Sequence, residues 1–558
     1  MQKAICDPLR FIVVSLVTPF WHSFTKKTSI DDINPMNKAK YDEKNLKRGF
    51  FTRFLDSVEW LGNLLPHPVT LFAILCVIVV VASGIASALG VSVADPRPAN
   101  EGEWIAVNSL LNAEGLRRLI TEMVTNFTGF APLGTVLVAM LGVGVAEHSG
   151  LLSASMRALV LNRSPRIVTY AIVFAGIMSN TAAELGYVVL IPLAAMIFHS
   201  LGRHPLAGLA AAFCGVSGGY SANLLIGTVD PLLSGITQEA ARLLDPAYIV
   251  GAEANWFFMF VSTFFVTLIG GLVTEYIVEP KLGKFDSAYA DDDIDQQRME
   301  GLSDTEKRAL KGTGLALLAI VGLLVAMVVP AGGILRDPET GLVSGSPFLR
   351  GIVVVVATSF AVLGFIYGRL AGTMHNDRDV VNAMAKSMSS LGLYIVLVFF
   401  AAQFVALFNW SNFGTVTAVA GAGLLETLGL SGPGLFVLFI IMCAFVNLSL
   451  GSASAQWAVT APIFVPMLML MGYAPEVIQA AYRIGDSVTN LITPMMSYFG
   501  LIMAVAARYR KDLGIGTLVA IMLPYTLLML VGWTILFFVW VFVFGLPVGP
   551  GAATYYTM

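Results

Sequence analysis

Arg483, Asp486 and Asn490 are charged or amide residues inside an otherwise apolar stretch of the chain. Spacings of three and four residues place these three side chains on one face of a helix. A guanidinium is a planar, permanently charged fork that suits a carboxylate or another planar anion. Asp486 can balance that charge, or bind a coupling cation or a proton. A structural salt bridge between two helices is the alternative interpretation.

Two further apolar stretches, 167–202 and 433–471, each carry a small polar cluster at the middle. The clusters are Ser179–Glu184 and Ser449–Gln456. A polar break of this kind predicts two half-length helices that meet at a turn inside a membrane. Exposed backbone at that depth is tolerated only where protein or a watery cavity surrounds it. We therefore expect two re-entrant hairpins with their tips at a site.

The tips supply groups that can bind a small anion and a cation. Ser179 and Asn180 lie at the first tip, and Asn223 follows a run with three glycines within five residues. That composition favours an unwound helix whose carbonyls coordinate a cation. At the second tip Ser454 supplies a hydroxyl. Trp457 can stack on an aromatic ring, or anchor the chain at the membrane interface.

The composition identifies the elements that must position these residues. Only 12% of the 558 residues are charged, whereas soluble domains average about 25%. The chain is therefore predicted to be an all-α polytopic membrane protein. A net charge of −3 excludes a nucleic-acid binder driven by bulk charge. The four scattered cysteines form neither a disulfide framework nor a zinc motif. The sequence contains no Walker-type phosphate loop that would support direct drive by ATP.

Nine apolar segments are long enough to span a bilayer. With these nine as transmembrane helices and the two stretches as hairpins, 26 of the 33 lysines and arginines lie on one side. The positive-inside rule places that side in the cytoplasm, with the N-terminus inside and the C-terminus outside. The predicted spans are 68–91, 131–150, 205–230, 255–278, 313–335, 349–371, 392–410, 475–507 and 515–545.

An internal repeat relates the two halves of the chain. Residues 179–217, moved by 270 positions, match ten residues of 39 without a gap. One span lies between the halves, so the second half is inverted, which is an architecture of secondary transporters. The predicted division is a cytoplasmic extension 1–57, a first repeat 58–278, a cytoplasmic linker 279–312, a connecting helix 313–348, a second repeat 349–545 and a C-terminal tail 546–558.

Several passages together resemble the p-aminobenzoyl-glutamate transporter (AbgT) family, from about Val58 to the C-terminus. The passages are Trp60–Pro68, Gly142–Ser149, Ser179–Glu184, Gly227–Pro231 and Tyr482–Ser487. The resemblance implies a homodimer of nine-span protomers, each with two hairpins. It also implies transport of p-aminobenzoyl-glutamate, or export of sulfonamide antimetabolites, driven by an ion gradient across the bacterial inner (cytoplasmic) membrane.

The family's motifs, matched residue by residue, imply a substrate site. A glutamate tail suits the guanidinium of Arg483, and an aminobenzoyl ring suits the indole of Trp457. The first 50 residues do not match the family pattern. The residues implied by the match are Asp230, Ser454, Trp457, Pro475, Arg483, Asp486 and Pro494.

The sequence thus predicts an ion-coupled transporter that is not an enzyme and needs no cofactor. Its expected partners are a small-molecule substrate, the lipid bilayer and a second copy of the chain, and no nucleic acid. The coupling ion is a proton or sodium, with sodium near Asn180, Asn223 and Asp486. One alternative is a sodium-coupled di- or tricarboxylate carrier. Another is an intramembrane hydrolase with Ser454 as nucleophile, but the second hairpin and its following span contain no histidine to serve as base.

Overall fold

The computed structural model describes residues 68–97, 102–161, 164, 167–182, 186–286, 290–291, 301–343, 345–430 and 432–557. The predictions for the extension 1–57, for Glu184 and for part of the linker 279–312 lie outside these residues.

The described chain is mostly helical, as its long apolar runs predict. The first half contains α1 Pro68–Ala88, α2 Ala113–Thr128, α3 Ala131–His148, α4 Leu151–Val160, α5 Val168–Ser179, α6 Ile191–Ser200, α7 Pro205–Phe213, α8 Val229–Ala241 and α9 Trp256–Val273. The rest contains α10 Glu279–Leu282, α11 Asp304–Val328, α12 Pro347–Arg350, α13 Ile352–Ala371, α14 Asp377–Ser390, α15 Gly392–Trp410, α16 Phe413–Thr427, α17 Leu435–Leu450, α18 Ala453–Leu470, α19 Pro475–Thr489, α20 Phe499–Tyr509 and α21 Ile515–Phe538.

Eight helical segments of the described residues are long and apolar enough to cross a membrane. Seven of them overlap predicted spans, such as α1, α13 and α15, and the eighth, α18, lies in the stretch 433–471 that was predicted to be a hairpin of half-length helices. Two predicted spans, 205–230 and 475–507, contain no such helix because each is interrupted. The eight segments are Pro68–Ala88, Ala113–His148, Trp256–Leu282, Asp304–Val328, Ile352–Ala371, Gly392–Trp410, Ala453–Leu470 and Ile515–Val543.

The interruptions occur at corresponding places in the two halves. In the first, α7 continues as a π-helical turn, Cys214–Gly218, and α8 begins only at Val229. In the second, α19 ends at Thr489 and α20 begins at Phe499. The glycines of the first interruption had predicted unwinding, whereas the second was expected to be part of a span. Pro494 gives a physical reason for the second, since proline disrupts a helix interior.

The predicted hairpin tips coincide with helix ends. Helix α5 ends at Ser179, and α17 ends at Leu450. Gly451 follows with a left-handed φ of 56°, and a Cβ there would lie 2.8 Å from the Met495 carbonyl oxygen. Only glycine meets both conditions without strain. Helix α18 begins two residues later, where the Ser452 hydroxyl caps its first turn.

The internal repeat is visible as a matched pair of helix contacts. A Cβ at Gly215 would lie 2.3 Å from the Val173 carbonyl oxygen. A Cβ at Gly485 would lie 2.5 Å from the Ile440 carbonyl oxygen and 2.7 Å from Cβ of Cys443. Gly485 and Cys443 stand 270 positions after Gly215 and Val173. In each half the first hairpin helix therefore packs on the interrupted span through a glycine.

Two details differ from the prediction of an all-α chain with a solvated linker. Ser92–Ala94 and Trp104–Ala106 pair as short antiparallel strands, β1 and β2. Helix α11 begins at Asp304, inside the predicted linker, because Ser303 and Glu306 form a capping box. The connecting helix is therefore longer on its N-terminal side than the apolar pattern indicated, and it ends at Val328.

Candidate functional site

Arg483 lies in the middle of α19 and forms an ion pair with Asp230. Their closest nitrogen and oxygen are 2.7 Å apart, and the two side chains are 4% and 3% exposed. Asp230 belongs to the first turn of α8, where its Oδ2 accepts a hydrogen bond of 2.6 Å from the Gly227 amide. The pair therefore joins the helix after the first interruption to the helix before the second.

Asp486 is one turn further along α19 and is fully buried. Neither of its carboxylate oxygens has a hydrogen-bond partner. The sequence had left Asp486 open as the residue that balances Arg483, but the direct ion pair is with Asp230. One guanidinium thus lies among two buried carboxylates, and Asp486 is the carboxylate without a direct partner.

Asparagines hold the first hairpin tip against the first interruption. The Asn223 side-chain amide donates to the Thr181 hydroxyl at 3.0 Å, and the Asn180 amide donates to the Gly219 carbonyl at 3.4 Å. The Asn180 Oδ1 atom is buried and accepts no hydrogen bond. Two predicted residues, Asn180 and Asn223, are therefore brought together, with one oxygen available.

A similar amide contact occurs in the second half. The Asn447 side chain donates to the Asp486 carbonyl at 2.7 Å and to Oδ1 of Asn490 at 2.8 Å. Its own Oδ1 is buried without a partner. The prediction included Asn490 but not Asn447. The signal was present, since Asn447 is a lone amide in an apolar helix, and a buried amide requires partners.

Trp457 connects the second hairpin to both halves and is fully buried. Its indole nitrogen donates to the Thr237 hydroxyl at 2.8 Å, which also lies 2.6 Å from Oε1 of Gln479. Its ring stacks on Tyr482, with centroids 4.2 Å apart and planes 21° apart. Trp457 is thus buried between α18, α8 and α19. Sequence reasoning missed its partners, since their distances along the chain give no pattern.

The remaining predicted residues differ in burial. Ser454 and Pro494 are partly exposed, and Ser179 is buried with its hydroxyl donating to the Gly176 carbonyl at 2.6 Å. Pro475 occupies the first turn of α19, where its missing N–H costs no helical hydrogen bond. The buried members of the predicted set are Ser179, Asn180, Asn223, Asp230, Trp457, Pro475, Arg483, Asp486 and Asn490.

Comparisons with known proteins give consistent relatives across the chain. A family described as the AbgT putative transporter family matches residues 53–556. The p-aminobenzoyl-glutamate transport protein of Escherichia coli (strain K12) is 39% identical over 494 residues, which cover 88% of this chain and 95% of that protein.

Two solved structures are similar throughout. The Alcanivorax borkumensis YdaH transporter is 47% identical with a TM-score of 0.81, covering 87% of this chain and 100% of that one. Neisseria gonorrhoeae MtrF, described in connection with a class of antimetabolite efflux pumps, is 62% identical with a TM-score of 0.84. That match covers 90% of this chain and 100% of the other.

Proposed function

The chain belongs to the AbgT family of membrane transporters, and from this premise we propose an ion-gradient-driven secondary transporter. Its substrates are p-aminobenzoyl-glutamate-like aromatic anions, sulfonamide antimetabolites that share the aminobenzoyl ring, or both. The names of the E. coli relative and of MtrF support the two substrate classes. No covalent step is assigned to any residue.

The observation that carries the proposal is the buried group of Arg483, Asp230 and Asp486. Burial of an unpaired charge is costly. One guanidinium cannot balance two carboxylates, so we propose that this group exchanges its internal partners for a bound substrate and ion. A substrate carboxylate can replace Asp230 at the Arg483 fork. A cation or proton can neutralise Asp486. The cation or proton offsets the charge that one substrate carboxylate brings, so binding of both leaves the net charge of the site unchanged.

The substrate site is proposed to extend from this group to both hairpin tips. Trp457 supplies an aromatic wall, and Ser454 supplies a hydroxyl at its partly exposed side. The contributing residues are Ser179, Asn180, Asn223, Asp230, Ser454, Trp457, Pro475, Arg483, Asp486, Asn490 and Pro494.

The coupling ion is proposed to be a proton or sodium. A proton needs only the Asp486 carboxylate. Sodium prefers several oxygen ligands, and unpartnered oxygens occur on Asn180 and Asp486, with Asn223 beside Asn180. A sodium-coupled di- or tricarboxylate carrier uses the same anion and cation chemistry and is the alternative function. Its substrates would not need the indole of Trp457.

The proposal includes an architecture and a location. We propose nine transmembrane helices and two re-entrant hairpins, with 205–230 and 475–507 crossing the membrane as interrupted spans. The hairpins 167–202 and 433–471 enter from the cytoplasmic and the outer side. The protein is proposed to be a homodimer in the bacterial inner membrane.

The test is transport by the purified protein in sealed vesicles. Labelled p-aminobenzoyl-glutamate and a labelled sulfonamide are followed while proton and sodium gradients are imposed separately. We expect one gradient to drive flux of at least one compound, and Arg483→Ala to abolish it. Arg350→Ala, at an exposed position, is the matched control. Absence of gradient-driven flux of both compounds contradicts the proposal, and competition by dicarboxylates alone favours the alternative.

A further inference from the structure

Tyr187 stands 270 positions before Trp457, so it is the counterpart of that residue in the first repeat. It lies in the π-helical turn Gly186–Leu190 that precedes α6. Its side chain is 6% exposed. The internal repeat did not identify it, since the two equivalent positions carry different residues, tyrosine and tryptophan.

Tyr187 contacts both halves of the chain. The Tyr187 hydroxyl lies 2.8 Å from Oγ of Ser217. The Ser217 hydroxyl in turn lies 3.0 Å from the sulfur of Met496. Its ring stacks on Tyr498, with centroids 4.6 Å apart and planes 6° apart. Ser217 belongs to the interrupted span of the same half. Met496 and Tyr498 belong to the second interruption, just before α20.

Trp457 also makes one stacking contact and one hydrogen bond. Its stacking partner lies in its own half and its hydrogen-bond partner in the opposite half, which is the reverse of Tyr187. It stacks on Tyr482 of the interrupted span in its own half. Its indole nitrogen binds Thr237 in α8, the helix that follows the interruption of the opposite half. We name Tyr187, Ser217 and Tyr498 the inner latch, and Trp457, Tyr482 and Thr237 the outer latch.

The predicted membrane orientation places the two latches toward opposite sides of the membrane. With the orientation that the basic residues predict, hairpin 167–202 enters from the cytoplasm. Tyr187 comes after its tip, on the part of the chain that returns to the cytoplasm. Hairpin 433–471 enters from outside, so Trp457 follows its tip back toward the outside. Each latch joins a hairpin of one half to the other half, and both are closed in this structure.

We propose that the inner latch is the cytoplasmic gate of the transport site and that Tyr187 controls it, as the mirror counterpart of Trp457. Release of Tyr187 from Tyr498 opens the site to the inside while the outer latch stays closed. Release of Trp457 from Thr237 does the reverse. This inference rests on the proposed transport function, because only a transporter needs two gates that open alternately.

The experiment measures access to the site from each side without substrate or gradient. Ser454→Cys is introduced in a background in which the four native cysteines are replaced by alanine. A membrane-impermeant thiol reagent is applied to right-side-out and to inside-out vesicles. The two latches act in opposite directions on the equilibrium between the inward-open and the outward-open state. Loss of one stacked pair therefore shifts that equilibrium by roughly tenfold.

Tyr187→Ala is expected to raise labelling in inside-out vesicles about tenfold and to lower it in right-side-out vesicles. Tyr498→Ala should do the same, and Trp457→Ala should do the opposite. Tyr187→Phe keeps the ring and loses the hydroxyl, so it gives a smaller shift in the same direction and serves if the alanine variant does not fold.

Tyr525→Phe is the matched control, because the Tyr525 hydroxyl also bonds a buried hydroxyl, that of Thr274 at 2.7 Å, outside both latches. It should leave labelling unchanged. Equal labelling of the Tyr187 variants from both sides, or no change from either side, overturns the gate. A correct labelling pattern in these variants, with no substrate flux by the unsubstituted protein, would overturn the proposed function instead.

Discussion

Arg483 is the one arginine among the described residues of the interrupted spans, and its ion pair with Asp230 is almost completely buried. A buried pair contributes little net stability, but removal of one partner leaves the other charge uncompensated. We therefore propose a binding role for this pair, with a structural salt bridge between α8 and α19 as the alternative. The two roles can be separated by comparing a single with a double substitution.

Arg483→Ala is expected to destabilise the protein by about 3–5 kcal/mol, because Asp230 is left as an unpaired buried charge. The double variant Arg483→Ala, Asp230→Ala removes both charges and should recover much of that loss. Thermal unfolding in detergent measures both. Substrate binding should be absent in both variants. A double variant no more stable than the single one would show that the carboxylate of Asp230 is not the group left uncompensated.

Asp486 has a separable role if it carries the coupling ion. Asp486→Asn removes the titratable charge and keeps nearly the same shape. We expect it to retain exchange of labelled for unlabelled substrate and to lose accumulation against a substrate gradient. Exchange and gradient-driven uptake in the same vesicles measure the two processes. Asp245→Asn, in the loop after α8, is the control, and accumulation that persists in Asp486→Asn assigns coupling to another group.

At the scale of elements, the glycine contacts decide how closely the hairpins approach the interrupted spans. A Cβ at Gly485 would lie within 2.9 Å of three atoms of α17. Two of those atoms belong to backbone, which cannot move aside as a flexible side chain can. The approach of α17 to α19 therefore depends on this one position.

Gly485→Ala is expected to destabilise the protein by roughly 1–3 kcal/mol through overpacking. Gly423→Ala is the matched control, since Gly423 lies in α16 with nothing within 4 Å of an added Cβ. That change should be neutral or slightly stabilising, because alanine favours a helix. Unfolding temperatures of the two variants provide the comparison. Equal unfolding temperatures would show that α17 and α19 can move apart freely.

The sequence predicted the breaks after Ser179 and Leu450, because polar residues interrupt apolar runs there. It predicted the unwinding after Gly215 from the glycines. The second interruption, after Thr489, was missed, since Asn490 and Pro494 are separated by residues that also suit a helix. Pro494 was the local signal for that interruption, whereas the close approach of Gly451 to Met495 is a tertiary contact that no local pattern encodes.

The charged residues of the candidate site were predictable, because a charge inside a membrane segment costs free energy. Arg483 and Asp486 were found because ionised groups in apolar segments are rare. The direct partner of Arg483 was not determined, since Asp230 lies more than 250 residues away. Thr237, which binds the Trp457 indole nitrogen, and Gln479, which binds Thr237, were not found at all. Uncharged polar residues are common in helices of membrane proteins, so their positions carry little signal.

At the scale of the whole molecule, the C-terminal tail ties the two halves together. The Val548 carbonyl accepts from the Phe258 amide at 3.0 Å, at the start of α9. The Thr554 carbonyl accepts from the Ala474 amide at 3.2 Å, and the Tyr556 amide donates to the Gly472 carbonyl at 2.9 Å. The tail thus bridges the first half to the turn between α18 and α19.

This turn must stay fixed if hairpin 433–471 is to move against α19 without pulling that helix out of place. A chain that ends at Leu546 loses all the tail contacts and uncovers Tyr473, which is 4% exposed. We expect the amide of Ala474 to exchange with deuterium at least roughly fivefold faster, because a lost hydrogen bond is worth about 1 kcal/mol. A chain that ends at Tyr556 retains the contacts and should exchange at the native rate. If the shorter chain also exchanges at the native rate, the turn is held by α18 and α19 themselves, and the tail does not join the halves.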